Sequence, residues 1–241
     1  KVYMDFFNNK KRVVQRAIVS AVASSLIAFN SFASTSEDYE KALTAFNQNE
    51  YDEAYIHLKN SLQKDPENLA AKILMGEILL INGYLTAAEM EFVEALEMGA
   101  DINLLAEPLG NTWLFLNRYQ EIVDFSDLNK LSGDAEREWL MIRATACIRL
   151  QDESCALRDY NTIVSRTPNF VPAINGLASI ALQNEDLSKA TSLINKAMSL
   201  EPKNAITWRL KGQLAYRQGD TDAATSHLQK ALTFNRDDPI A

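Results

Sequence analysis

Cysteine and histidine are nearly missing from this 241-residue chain, with two of each. So sparse a set excludes a disulfide-framed miniprotein and leaves no run of ligands at zinc-finger spacing. His57 and His227 stand far apart in the sequence, each without a second histidine or cysteine at metal spacing, and read as surface residues. Glycine (8) and proline (6) are also scarce. No glycine-rich phosphate loop, serine elbow or HExxH occurs, and little punctuation is available for the turns an all-β domain needs. No apolar run reaches the ~20 residues of a membrane-spanning helix. Carboxylates are plentiful, but each finds a place as a helix-face or capping residue, with no acid/base pair spacing. Nothing calls for a cofactor, a metal or a catalytic group, so a non-enzyme is expected.

What is present is apolar residues recurring at helical spacing almost end to end, in a composition 47% hydrophobic and 23% charged. That predicts an all-α fold with a real core. The first 33 residues stand apart. Lys10, Lys11, Arg12 and Arg16 precede a mostly apolar stretch, Ala17 to Phe32, and Ser31 and Ala33 occupy the small-residue positions of a cleavage site before Ser34. This is the pattern of a secretory signal peptide over residues 1–33. An uncleaved anchor is the other reading, disfavoured by Ser24, Ser25, Asn30 and Ser31 in the stretch. Cleavage predicts an exported, periplasmic protein with no membrane insertion. The chain carries a formal charge of −8, and loss of the leader takes five basic residues and one acid, leaving −12. Such a surface repels phosphate backbones and anionic lipid, which excludes nucleic acid as the natural partner.

An internal repeat organises the rest. At an offset of 34, frames begin at Thr35, Leu69, Asn103, Arg137, Val171 and Ala205, giving repeats 35–68, 69–102, 103–136, 137–170, 171–204 and 205–238. Frame position 8 holds Ala42, Gly76, Gly110, Ala144, Ala178 and Gly212; position 20 holds Ala54, Ala88, Ile122, Ala156, Ala190 and Ala224. Small residues recur where two antiparallel helices touch. Position 24 is bulky in Leu58, Phe92, Tyr160, Ile194 and Leu228, filling the gap against the next unit. Turn chemistry agrees: Gly83 and Gly219 end first helices at position 15, Asp152, Asp186 and Asp220 cap second helices, and Pro66, Pro168 and Pro202 stop them. The third repeat is degenerate, with Pro108 inside its first helix, Ser126 at position 24, and a short second helix ending near Ser132-Gly133. Residues 239–241 read as the start of a further repeat or a tail, so the final apolar face is expected to be covered by more chain or by a docked partner.

This pattern resembles the tetratricopeptide (TPR) repeat, which implies a right-handed α-α superhelix of about six helical hairpins. Within it, Ala54 to Pro66, Leu74 to Glu77, Glu94 to Asp101 and Tyr119 to Asp124 resemble the TPR-repeat proteins of the PEP-CTERM/exosortase systems, the PrsT family. That resemblance implies a scaffold in the bacterial envelope, alongside machinery that sorts PEP-CTERM proteins and makes exopolysaccharide. Members typically carry a cysteine directly after the signal peptide; here Ser34 stands there, which favours a soluble periplasmic form.

The surface that first helices turn inward comprises Tyr39, Phe46, Ile73, Leu80, Ile81, Leu114, Phe115, Met141, Ile148, Arg209, Tyr216 and Arg217. Its apolar character predicts a groove for an envelope protein or peptide segment, with Arg209 and Arg217 placed to grip a carboxylate. A tightly wound array that covers its own inner residues is the alternative. A second function class, a regulatory N-terminal TPR region of a longer enzyme or outer-membrane export protein, fits the same residues. Cys147 and Cys155 either bridge, as an oxidising compartment permits, or stand as two buried or half-buried thiols.

Overall fold

The computed structural model describes residues 37–237, so the leader and residues 239–241 lie outside the described residues. Among the described residues there are twelve α-helices, one 3₁₀ turn and no strand. The chain divides into two compact units after Ile142. The first contains α1 (Glu37–Asn47), α2 (Tyr51–Lys64), α3 (Leu69–Ile81), α4 (Leu85–Glu97), α5 (Ile102–Phe115), α6 (Tyr119–Val123), the 3₁₀ turn Ser126–Lys130 and the opening turns of α7 (Gly133–Arg149). The second contains the end of α7, α8 (Glu153–Arg166), α9 (Val171–Gln183), α10 (Leu187–Leu200), α11 (Ala205–Arg217) and α12 (Thr221–Asp237). Odd-numbered helices open hairpins and even-numbered helices close them. No helix of the described residues is long and apolar enough to cross a membrane.

The backbone repeats more faithfully than the side chains. Position 15 lies in the left-handed region in all six hairpins: Asn49 (φ 63°), Gly83 (80°), Asn117 (58°), Gln151 (61°), Glu185 (60°) and Gly219 (84°). In each, the next residue's N–H reaches back across the helix end, as in Glu50 to Ala45, Arg118 to Trp113 and Asp220 to Ala215, satisfying carbonyls the helix leaves open. Only two of the six are glycine. Asparagine tolerates this region at Asn49 and Asn117, but Gln151 and Glu185 carry the steric cost of a Cβ at positive φ, so there the hairpin geometry is imposed by packing rather than by local preference. Second helices open on caps at the predicted residues. The side chains of Asp152, Asp186 and Asp220 accept hydrogen bonds from the N–H groups of Cys155, Lys189 and Ala223.

Small residues at position 8 make room for a large one at position 24. A Cβ on Gly76 would come within 2.5 Å of the Phe92 ring, and one on Gly212 within 2.8 Å of Leu228. Position 24 therefore seats against its own hairpin's first helix, as well as reaching forward: Tyr160 lies over Gly176 of the following hairpin at 2.5 Å from its virtual Cβ. Leu58, Phe92 and Ile194 are almost fully buried, and burial of a side chain of that size contributes about 1.5–3 kcal/mol.

The degenerate repeat is repaired from outside its frame. Its second helix, α6, closes at Val123, ahead of the sequence expectation, and Ser126 at position 24 is exposed. The space beside Gly110 is filled instead by Trp139 and Ile142 of α7, 3.0 and 3.1 Å from a virtual Cβ. Trp139 is fully buried, tilted against Phe125 at 4.2 Å between centroids and edge-on to Trp113 at 6.1 Å. α7 accordingly starts at Gly133, four residues ahead of the frame at Arg137.

Candidate functional site

In the first unit the odd-numbered helices present the inner positions, and they do not offer them equally. Tyr39, Phe46 and Leu80 are 6%, 1% and 7% exposed and belong to the same core cluster as Leu74, Met75 and Ile78 of α3. They are structural residues, which corrects their reading as anchors for a partner. Phe46 is further enclosed by Tyr51, whose ring meets it edge-on at 5.6 Å where α1 turns into α2. These three side chains lie in the seam between neighbouring hairpins, where an apolar side chain is drawn into the core, whereas Ile73, Leu114 and Met141 at the same frame positions are left half-buried. Ile73, Ile81 and Phe115 pack partly buried on that cluster, and Leu114 and Met141 are likewise half-buried. These remain the apolar part of the wall.

Inner positions also carry two acids that a search for apolar anchors passes over. Glu77, on α3 at frame position 9, is 6% exposed, and its Oε2 makes no hydrogen bond. Burial, reinforced by the like charge of Glu107 on α5, pushes its carboxyl up to about 8. From the other side stands Tyr39 on α1, whose phenol is pushed up to about 12 by burial, then by Glu40 and Glu77. A lone acid in the apolar run Ile73 to Ile81 was the signal in the sequence.

In the second unit the inner positions named from the sequence are exposed and carry two arginines beside apolar residues. Ile148 is 36% and Tyr216 67% exposed, and Arg209 is exposed on α11. Arg217 lies 3.6 Å from Glu185, an exposed pair that a competing carboxylate can displace at little cost. Cys147 and Cys155 are both buried and form a disulfide, with Cα atoms 5.8 Å apart. Together with the Asp159 carboxylate their sulfurs fall within 4.8 Å of one another, a spacing that would suit a metal. The sulfurs are consumed by the bridge, however, and Asp159 receives two hydrogen bonds from Arg143, at 2.8 and 2.5 Å. The cluster is a structural pin between α7 and α8.

The tetratricopeptide repeat family matches residues 39–102 and 175–239, more than half of the chain. The chain belongs to the TPR family. It is 25% identical over 194 residues to a TPR repeat-containing protein of Methanocaldococcus jannaschii, covering 79% of this chain and 31% of that protein, so it spans about a third of that relative's length. Among solved structures, a TPR protein of Parabacteroides merdae aligns with a TM-score of 0.70 at 22% identity, over 82% of this chain and 78% of that one. YrrB, described as a TPR protein with an unusual peptide-binding site, aligns with a TM-score of 0.51 at 18% identity, over 76% of this chain and 94% of that one. At these identities the likeness is one of fold, and the helical-hairpin TPR architecture is common to all of them. TPR proteins are typically scaffolds rather than enzymes.

Proposed function

We propose that this chain is an exported TPR scaffold that holds an extended or helical segment of a bacterial envelope protein. The observation that carries the binding reading is the half-buried row Ile73, Ile81, Leu114 and Phe115 on α3 and α5, apolar side chains at inner positions whose burial a partner would complete. The peptide-binding site ascribed to YrrB, on a related fold, supports the same use of the wall. Export rests on the basic, apolar and small-residue order of residues 1–33 and on the Cys147–Cys155 disulfide, a bond that persists in oxidising compartments. Participation in exopolysaccharide assembly or PEP-CTERM sorting rests on the PrsT-like stretches, Ala54 to Pro66 above all. Ser34 in place of a lipid-bearing cysteine supports a soluble periplasmic form.

The test is photo-crosslinking in intact cells. A photoreactive phenylalanine analogue at Leu114, half-buried on the wall, should capture a discrete adduct; the same analogue at Met90, 67% exposed on the closing helix α4, should not. Equal capture at both sites, or none at Leu114, would remove the binding reading.

A further inference from the structure

Frame positions 4, 7, 23, 26 and 30 bring side chains of a hairpin's two helices together, and none of them is an inner position. In three hairpins this face carries a cation paired with an anion. In the first, Lys64 donates to Asp38; in the second, Lys72 reaches Glu94 at 3.0 Å; in the fourth, Asp159 accepts two hydrogen bonds from Arg143, at 2.8 and 2.5 Å. Charge on this face is thus met from within the same hairpin.

The sixth hairpin departs from that arrangement. Its five positions hold Trp208, Lys211, His227, Lys230 and Phe234, two cations and no acid. The Lys211 and Lys230 ammoniums stand 5.2 and 4.5 Å from the centroid of the Trp208 ring, and the His227 ring lies 5.4 Å from it. The indole is itself fixed, donating to the Pro202 carbonyl at 2.7 Å with Phe234 at 6.0 Å. Neither ammonium meets a carboxylate among the described residues. Lys230 is exposed and Lys211 half-buried, so both are open to a ligand. Burial, then Lys211 and Lys230, hold the His227 imidazole below its ordinary range; Asp220, the one acid acting on it, has the least influence and already caps α12 by accepting from the Ala223 N–H.

This gathering of positive charge runs against the rest of the chain. From Ala205 to Lys230 there are four basic residues, Arg209, Lys211, Arg217 and Lys230, against Asp220 and Asp222, in a chain whose net charge is −8. Two ammoniums held at one ring repel each other, and contact with an aromatic face replaces only part of what a counter-ion supplies. An anion placed between them removes the repulsion and completes both. The net charge selects the kind of anion: a nucleic acid or an anionic bilayer is repelled by the remainder of the molecule, whereas one carboxylate on a peptide is not.

The geometry points to a second binding site, apart from the inner wall, in which Lys211 and Lys230 over Trp208 clasp an acidic side chain, glutamate or aspartate, of a partner protein. Contact with the ring restricts where each ammonium can sit, which lowers the ordering cost of taking up the carboxylate. His227 closes one side of the cluster and brings no negative charge to compete with it.

The test is a titration of the full chain, with nitrogen-15 in its three tryptophans, by a terminally blocked peptide of two glutamates among glycines. The Trp208 indole N–H signal should move while those of Trp113 and Trp139 stay in place, and the matched glutamine peptide should move none of them. In the K211Q/K230Q double variant, shown by circular dichroism to keep its helicity, the same movement should need about tenfold more peptide or vanish. A Trp208 signal that ignores the glutamate peptide, or responds equally to glutamine or in the double variant, would overturn the site. Tighter binding of the matched phosphoserine peptide would overturn the carboxylate assignment and give the lysines to phosphate. The apolar wall is tested separately, by crosslinking at Leu114, so the two readings can fail independently.

Discussion

Gly76 on α3 lies under the ring of Phe92 on α4, so close that a single added methyl would stand 2.5 Å from the ring edge. Phe92 is fully buried and has nowhere to withdraw. G76A should therefore destabilise the fold by about 1–3 kcal/mol in urea titration, and a second change, F92L, should return part of that loss by shrinking the obstacle. An unaltered midpoint in G76A would show the hairpin less tightly closed than described.

The recurring left-handed residue gives the opposite sign. Gln151 and Glu185 hold positive φ with a Cβ in place, and each should gain up to about 1 kcal/mol on replacement by glycine, read as a raised thermal midpoint. G219A should lose a similar amount. A destabilised E185G would assign more weight to its pairing with Arg217 than an exposed contact normally carries.

Stability should also carry the signature of Glu77. Its carboxyl is raised in the folded state from 4.5 to about 8, with Tyr39 facing it from α1 and Glu107 from α5. Between those limits the folded chain binds the proton more firmly than the unfolded one. Its contribution is intact below the unfolded value and is lost as pH rises through the folded one, at up to about 1.4 kcal/mol per pH unit, then levels off. E77Q removes that decline, so the difference in urea midpoint between the two proteins should widen in favour of the variant as pH increases. A constant difference across the window would show the carboxyl to be ordinary.

Reduction provides a fourth measurement. The Cys147–Cys155 bridge closes a loop of only eight residues' separation, for which restriction of the unfolded chain amounts to about 2–3 kcal/mol. Unfolding with and without reductant should differ by that amount, and protein recovered from cells should resist alkylation until reduced. Free thiols in that material would detach the bridge from the export reading.

The repeat was legible because it is written in side-chain size: alanine or glycine at positions 8 and 20, a bulky residue at 24, aspartate at 16. Backbone conformation is written only where glycine stands. Asn49, Asn117, Gln151 and Glu185 adopt the same turn as Gly83 and Gly219; asparagine tolerates that conformation, but nothing in the side chains of Gln151 and Glu185 announces it. The wall was legible in location but not in exposure. Periodicity identifies the face on which Phe46 and Leu80 lie, yet whether a neighbour covers them depends on how deeply the next hairpin settles. Glu77 went unremarked for a different reason: an inner face read for greasy anchors hides the polar residue among them. The third repeat looked merely eroded because its replacement part, Trp139, lies outside the frame that lost it.

That last displacement ties two neighbouring motifs together. In a regular array each motif fills its own gap and shares only a like interface with its neighbours. Trp139 departs from that regularity, since α7 gives its opening turns to the hairpin before it and, through Arg143 and Cys147, its closing turns to α8. Excising the stretch from residue 137 to 170 would open a hole beside Gly110, and excising 103 to 136 would strand an indole. Removing either motif alone should therefore destabilise what remains by the cost of a core cavity or of an uncovered indole.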